Sequence, residues 1–336
     1  MSILPSAPAA RPDLSGAPGV VRFYNFLPPG NTFLDDVLEG LSLPQRAIPP
    51  KYFYDEAGSR LFEQICGLEE YYPTRTEMGI LRAAIEDIAH FAGSDLQLIE
   101  FGSGAGIKTR ILLERLRPSL YVPIDIDGGT LRDASLALAE RYPWLNVSGI
   151  LADMAQPLEL PQFIGAPIRR KLAFFPGSTV GNFTRDEAIA FLKRVRAMVG
   201  KGGLLLIGVD LKKDRAVLEA AYDDAQGVTA AFNLNLLTRI NRELGADFQP
   251  RRFSHVARYD EALGRVEMYL KSDYQQFVKV AGRRFDFKPG ETIHTEISCK
   301  YGVEEFRELA AKAGFFGEKV WVDSGNLFSV HGMTAR

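Results

Sequence analysis

The chain has 336 residues, 46 % of them hydrophobic and 24 % charged, which is ordinary for a globular protein and excludes a wholly disordered or fibrous chain. Its 40 Lys and Arg and 42 Asp and Glu leave a formal charge of −2, so no basic excess points to nucleic acid or to an anionic membrane. Only two cysteines occur, Cys66 and Cys299, and the four histidines lie far apart. We therefore expect reduced thiols and no metal site.

The N-terminal segment is rich in Pro, Ala, Ser and Gly and lacks the uninterrupted apolar core of a signal peptide. We predict a disordered tail over residues 1–19. The longest apolar run, Leu204–Val209, is far shorter than the roughly 20 residues that span a bilayer. These features predict a soluble, cytoplasmic protein.

From about residue 59 the chain alternates between helix and strand patterns. Ser59 is a candidate helix cap, and two capping-box patterns, Thr74 with Glu77 and Thr184 with Glu187, predict helix starts. Apolar runs predict five strands, at residues 96–101, 121–125, 146–151, 171–175 and 204–209. Strands that alternate with helices of about a dozen residues are typical of βαβ units, so we predict an α/β fold with a doubly wound parallel sheet.

The pattern changes after Asp210. Residues 214–244 predict two helices separated near Gly227, and the alternation over residues 253–298 predicts an antiparallel meander. Helical spacing returns at residues 303–313, and two further apolar runs predict a closing hairpin. The sequence thus predicts two domains: a doubly wound domain from residues 76–210 and 299–336, and an inserted α+β domain from residues 20–75 and 211–298.

A glycine-rich turn, Glu100–Gly106, follows the first predicted strand of the sheet. Glycines there let the backbone approach a ligand, and the next helix start offers unpaired amides to negative charge. A dinucleotide fingerprint would require a small residue where Ile107 stands, which disfavours a pyrophosphate. The acid-x-G-x-G-x-G spacing resembles the first motif of class I S-adenosylmethionine-dependent methyltransferases. The alternative is that the glycines only make a tight bend.

The resemblance implies a cofactor site for S-adenosyl-L-methionine, which leaves as S-adenosyl-L-homocysteine. Asp125, at the end of the second strand, would accept hydrogen bonds from the ribose hydroxyls, and Asp153, after the third strand, would face the adenine amino group. Lys108 is either a solvated charge or a partner of the cofactor carboxylate. Carboxyl ends of strands are where open α/β sheets bind ligands. The implied cofactor residues are Gly102, Ser103, Gly104, Lys108, Asp125 and Asp153.

Six segments elsewhere in the chain narrow the resemblance. They lie at residues 50–55, 58–62, 70–77, 176–183, 221–233 and 295–300. Together they closely resemble the histidine-specific Nα-methyltransferases of ergothioneine biosynthesis, from about residue 48 to the C-terminus. The resemblance implies trimethylation of the α-amine of L-histidine to hercynine, with the mono- and dimethyl compounds as intermediates. It places the cofactor in the doubly wound domain and the substrate in the inserted domain.

The same resemblance implies the substrate site. Asn182 and Tyr222 would bind the carboxylate, Glu296 and Ser298 the imidazole, Met268 would line the pocket, and Tyr71 would lie near the amine as the catalytic residue. An amide and a phenol can donate to a carboxylate without a buried positive charge that would repel the cofactor sulfonium. Glutamate and hydroxyl match the two imidazole nitrogens. With an ordinary pKa near 10, Tyr71 would orient the amine rather than act as a strong base.

Structural roles are the alternative for each substrate residue. Met268 fits a core position, Tyr71 a contact at a helix start, Asn182 a turn and Glu296 a solvated strand face. Rival functions are methylation of a tryptophan derivative, a binding module without catalysis, and a nicotinamide oxidoreductase. Glu296 argues against the indole, which has one donor and no acceptor.

Overall fold

A computed structural model describes residues 19–28, 32–104, 106–161 and 170–336. The predicted tail therefore lies outside the described residues apart from Gly19. Within the described ranges none of the helices is both long and apolar enough to cross a membrane.

The strands are β1 (Val21–Asn25), β2 (Arg46–Ala47), β3 (Leu96–Phe101), β4 (Leu120–Asp125), β5 (Asn146–Leu151), β6 (Arg170–Phe175), β7 (Leu204–Asp210), β8 (Phe253–Asp260), β9 (Arg265–Ser272), β10 (Gln276–Val280), β11 (Arg283–Phe287), β12 (Thr292–Cys299), β13 (Phe315–Val322) and β14 (Phe328–Ala335). The helices are α1 (Thr32–Gly40), α2 (Glu56–Gly67), α3 (Tyr72–Ala83), α4 (Ile85–Ala92), α5 (Ile107–Leu116), α6 (Gly128–Arg141), α7 (Arg185–Val199), α8 (Arg215–Ala220), α9 (Val228–Leu244) and α10 (Val303–Lys312).

Eight strands form one large sheet in the order β1-β5-β4-β3-β6-β7-β14-β13. Neighbours are parallel except at β14, which is antiparallel to both β7 and β13. The central strand β3 is buried along its whole length because helices cover both faces of the sheet. The predicted doubly wound parallel sheet and the closing hairpin are confirmed.

The two faces of this sheet carry separate apolar cores. Ile99 and Phe101 of β3 point to the face that Phe306 of α10 covers, whereas Leu98 points to the face that Leu112 of α5 covers. This division follows from the two-residue repeat of a strand, which sends alternate side chains to opposite faces.

A second unit has its own sheet and core. Strands β2-β12-β9-β8 form a four-stranded sheet, and β10 pairs with β11 beside it. Its apolar core unites residues of α1, α2 and α9 with the meander strands. The predicted meander is confirmed, as are the two helices on either side of Gly227, where α9 begins.

One strand departs from the predicted grouping of the chain. Residues 20–75 were assigned as a whole to the inserted domain, yet β1 pairs in parallel with β5 at the edge of the large sheet. Burial of alternate β1 residues is only partial, so its local pattern carries little information about its partner. The division into two domains otherwise stays a prediction.

The predicted helix starts had mixed outcomes. The capping box of Thr184 with Glu187 is confirmed at α7. The other is wrong: α3 begins at Tyr72, and the buried carboxylate of Glu77 binds Lys108 instead of a helix amide. Ser59 lies inside α2, whose cap is Asp55.

Candidate active site

The glycine-rich turn joins β3 to α5 at the carboxyl edge of the large sheet. Gly102, Gly104 and Gly106 have φ angles of 69°, 46° and 67°, a region that other residues rarely adopt. The Gly102 amide donates to Ile124 O at 2.9 Å, and the Gly104 amide donates to Asp125 Oδ2 at 2.9 Å. The turn is therefore fixed against the end of β4. Ala105 lies outside the described residues.

Two side chains beside this turn have polar capacity left for a ligand. The Oγ of Ser103 is buried and has no hydrogen-bond partner in the described part of the chain, a state that costs about 1–3 kcal/mol unless a ligand relieves it. Burial raises the pKa of Asp125, whose carboxylate accepts the backbone amides of Gly104, Ile126 and Asp127. A Cβ on Gly104 would meet nothing within 4 Å. The turn thus has the space and the groups to hold a hydroxyl-bearing ligand such as S-adenosylmethionine.

The other two candidate cofactor residues already have ionic partners. Lys108 Nζ lies 2.5 Å from Glu77 Oε2, which also accepts the Gly177 amide at 2.8 Å. Asp153 Oδ2 lies 3.3 Å from Lys51 Nζ. A ligand at either residue would share or displace these contacts, and both cofactor roles stay predictions. Among the described residues no cluster of His, Cys, Asp or Glu has the arrangement of a metal site.

The predicted substrate residues meet where the second unit contacts the carboxyl edge of the large sheet. Tyr71, directly before α3, packs edge-on against Tyr222, with ring centroids 6.3 Å apart. Tyr222 Oη donates to Ser298 Oγ at 2.7 Å. Met268 stands directly opposite Glu296 across the β9–β12 pair, so both side chains share a face. The structure brings all of these residues together.

Glu296 is the carboxylate among the predicted substrate residues. Burial raises the pKa of its carboxyl to about 7, although the Lys300 ammonium and a hydrogen bond from Asn182 favour the charged form. Asn182 reaches it from the 3-10 turn that follows β6. The contacts cross the expected pairing, because Asn182 contacts Glu296 while Tyr222 contacts Ser298. The predicted carboxylate-binding and imidazole-binding residues are therefore hydrogen-bonded to each other in two crossed pairs.

Sequence reasoning missed Lys300. Its ammonium is buried and lies 2.6 Å from Asp210 Oδ2, 2.9 Å from Tyr222 Oη and 2.9 Å from Ser298 Oγ. The expectation of a site without buried positive charge is therefore wrong; the charge is present and Asp210 compensates it. The signal was available, since Glu296, Ser298 and Lys300 repeat every second residue, the spacing of one strand face, with Lys300 directly after the end of β12.

Tyr54 was also missed. It packs edge-on against Phe62 and Phe232, with centroids 5.7 and 5.9 Å away. Burial raises its pKa well above the ordinary value, and the nearby carboxylates of Glu296 and Asp125 raise it further. The phenol therefore lies within electrostatic range of both the glycine turn and the Glu296 cluster. Its segment, residues 50–55, carried part of the family resemblance, but nothing local assigned it a role.

A doubly wound sheet with a glycine turn after its central strand and an acidic residue ending the next strand is the arrangement expected of a class I S-adenosylmethionine-dependent methyltransferase. The family model described as histidine-specific methyltransferase, SAM-dependent, matches residues 33–335. The chain belongs to this family, and it is an S-adenosylmethionine-dependent enzyme.

Three proteins of related sequence are similar to most of this chain. A Histidine N-alpha-methyltransferase of Mycolicibacterium smegmatis is 42 % identical over 88 % of this chain and 92 % of its own length. Ergothioneine biosynthesis protein 1 of Schizosaccharomyces pombe is 30 % identical over 82 % of this chain, which spans 37 % of that protein. An L-tryptophan methyltransferase of Psilocybe serbica is 28 % identical over 85 % of this chain and 88 % of its own length.

Proposed function

We propose that this enzyme transfers three methyl groups from S-adenosyl-L-methionine to the α-amine of L-histidine, giving hercynine for ergothioneine biosynthesis. The observation that carries the proposal is the cluster of half-buried Glu296 and Asn182 with buried Ser298, which offers an ionisable acceptor and neutral polar groups side by side. Family membership and the mycobacterial relative support the same substrate.

The imidazole ring suits the polar groups at β12. It has one N–H and one unprotonated nitrogen near neutral pH, so the Glu296 carboxylate accepts from the first and the Ser298 hydroxyl donates to the second. An analogue without these nitrogens would leave both side chains unpaired in a buried site. Met268 closes the apolar side of the ring pocket. The α-carboxylate takes the Asn182 amide, while Tyr222 acts beside it by donating its one hydroxyl hydrogen to Ser298.

The cofactor supplies an electrophilic methyl group on its sulfonium when bound. The chain's own task is to hold the uncharged amine in line with that group, and positioning of this kind contributes about 7–11 kcal/mol in favourable cases. Burial raises the pKa of Tyr71 well above its ordinary value, with a further rise from Tyr222. The phenol therefore stays protonated and orients the amine rather than removing its proton.

The two-domain division is part of the proposal. Residues 76–210 and 299–336 hold the cofactor, and residues 211–298 with most of 20–75 hold the substrate. Gly102, Ser103, Gly104 and Asp125 contact the cofactor, with Asp153 and Lys108 at its two ends. Nα-methylhistidine and Nα,Nα-dimethylhistidine are the intermediates of the proposed reaction. A cytoplasmic location and the absence of nucleic-acid or membrane partners stay predictions from composition.

The test is a methyl-transfer assay with the purified protein, S-adenosylmethionine and each of the twenty amino acids, read by mass spectrometry. We expect histidine alone to gain up to three methyl groups at a high rate. The Asp125→Ala variant, assayed in parallel, identifies background from the preparation. Faster methylation of tryptophan than of histidine would replace the proposal by the indole alternative, and no transfer to any amino acid would refute both.

A further inference from the structure

The Lys300 ammonium has every one of its three N–H groups engaged. One contacts Asp210 Oδ2 at 2.6 Å, and the other two contact Tyr222 Oη and Ser298 Oγ, each at 2.9 Å. A lysine has no acceptor capacity, so all three contacts are donated. Lys300 is fully buried, which leaves it no solvent partner in exchange.

These contacts limit what the two hydroxyl groups can offer a ligand. Tyr222 Oη and Ser298 Oγ are hydrogen-bonded to each other at 2.7 Å, and that bond uses one of their two hydrogens whichever group donates. Lys300 occupies one lone pair on each oxygen. When Tyr222 donates to Ser298, the Ser298 oxygen accepts two hydrogen bonds, one from Tyr222 and one from Lys300. Only the hydroxyl hydrogen of Ser298 is then left for a ligand. The pair therefore always presents one hydroxyl hydrogen to the site.

We propose that Lys300 is a positioning residue, which fixes the Tyr222 and Ser298 hydroxyls so that Ser298 faces the substrate as a hydrogen-bond donor. This rests on the proposed function, in which an unprotonated imidazole nitrogen accepts that hydrogen. With Glu296 as the acceptor on the other side, the site selects the neutral ring with its N–H toward the carboxylate. Without Lys300, each hydroxyl could turn and present lone pairs to the same nitrogen.

The charge of Lys300 is sustained by a partner outside the substrate site. Burial alone would lower its pKa, but the Asp210 carboxylate raises it above the ordinary value. Asp210 in turn binds Lys213 Nζ at 2.6 Å and accepts from Tyr72 Oη at 2.8 Å. The ammonium therefore keeps its protons, while the carboxylate limits its repulsion of a bound sulfonium.

Lys213 supplies a matched control, because it also binds Asp210 but donates its other hydrogen bonds to Tyr72 and Leu211, away from Tyr222 and Ser298. We expect Lys300→Met to raise the KM for histidine about 10- to 100-fold, the loss that follows from one charge-assisted hydrogen-bond system. Lys213→Met, which removes the same charge from the same carboxylate, should change that KM less than about threefold. Affinity for S-adenosylhomocysteine, measured by calorimetry, should stay close to wild type in both variants.

A double-mutant comparison separates positioning from general structural support. In a Ser298→Ala background Lys300→Met should raise the KM for histidine by less than about threefold, because the Ser298 hydroxyl that faces the substrate is already gone. An undiminished effect in that background, equal effects of the two lysine variants, or an unchanged KM in Lys300→Met would each overturn the proposal. If Lys300→Met does not fold, Lys300→Gln is measured in the same cycle with the same criteria. Wild-type turnover of histidine is recorded first, so that a failure of the proposed function is seen separately.

Discussion

The two ends of the active site are built in different ways. At the glycine turn the polar contacts run between backbone amides and residues of adjacent strands, as from Gly104 to Asp125, 21 positions away. At the substrate end they join side chains far apart in the chain, as from Tyr222 to Ser298, 76 positions away. The first end is fixed by sheet topology and the second by a side-chain network. Substitutions should therefore act locally at the first end and spread through the second.

Two carboxylates of the substrate end, fully buried Asp210 and half-buried Glu296, show a second contrast. Burial would raise the pKa of Asp210, but the ammonium groups of Lys300 and Lys213 bring it below its ordinary value. Glu296 has only a hydrogen bond from Asn182 and the field of Lys300, so burial prevails and its pKa is raised to about 7. One carboxylate is a permanent charge that orders its neighbours, and the other can change its protonation state near neutral pH.

The largest expected effect lies at the glycine turn. Asp125→Ala removes the proposed acceptor of two ribose hydroxyls and also the contact that holds the Gly104 amide. Two charge-assisted hydrogen bonds amount to about 3–6 kcal/mol, so calorimetry should show cofactor affinity weakened by at least about 100-fold. Asp133→Ala, an exposed carboxylate on α6, is the control and should bind normally. Unchanged affinity in Asp125→Ala would mean that the turn holds another ligand.

The raised pKa of Glu296 should be visible in stability. Its folded pKa exceeds the unfolded value of 4.5, so the folded state keeps a proton that the unfolded state has lost, and stability falls as pH rises from about 4.5 to 7. A shift of this size corresponds to at most about 3 kcal/mol. The Glu296→Gln variant has no carboxyl to titrate, so its free energy of unfolding does not fall for this reason. Its stability relative to wild type should therefore increase as pH rises from about 4.5 to 7.

Urea unfolding at pH 5 and pH 8 measures this difference. The exposed Glu308→Gln variant makes the same chemical change at the surface of α10 and should show no comparable change with pH. Parallel behaviour of Glu296→Gln and wild type would place the Glu296 carboxyl in water-like surroundings and remove the second contrast between the carboxylates.

Specificity should follow the substrate end alone. Glu296→Ala removes a charge-assisted hydrogen bond to the ring, about 1.5–3 kcal/mol, and Met268→Ala in addition makes room for an indole. The ratio of kcat/KM for tryptophan to that for histidine should rise in the double variant, while calorimetric cofactor affinity stays unchanged. Full retention of the preference for histidine would show that the ring is recognised elsewhere.

The difference between contacts that are close in sequence and contacts that are distant in sequence explains what the sequence could predict. The turn from Glu100 to Gly106 and the box at Thr184 rest on residues a few positions apart, and local pattern was sufficient for both. The box predicted at Thr74 failed because the Glu77 carboxylate has a partner on another helix, Lys108, which no local pattern reveals. The crossed pairing of the substrate residues depends on contacts between β12, the turn after α8 and the turn after β6, so it required the folded structure.

The smallest expected effect concerns Asn182, which is proposed to bind the substrate carboxylate and also donates a hydrogen bond to Glu296. Asn182→Ala removes a neutral donor to the substrate carboxylate, and the apparent KM for histidine should rise about 10- to 100-fold, equivalent to about 1.4–2.8 kcal/mol. The same change deprives Glu296 of the hydrogen bond that favours its charged form, so the pKa of Glu296 should rise further and the KM defect should grow as pH falls below 7. Steady-state kinetics at pH 6.5 and 8.5 measures both effects.

Histamine, which lacks the carboxylate, should be a poor substrate of wild type and should lose little more in Asn182→Ala, because the group that Asn182 binds is already absent. Wild-type turnover of histamine near the rate of histidine would exclude the carboxylate contact and the role of Asn182 in it.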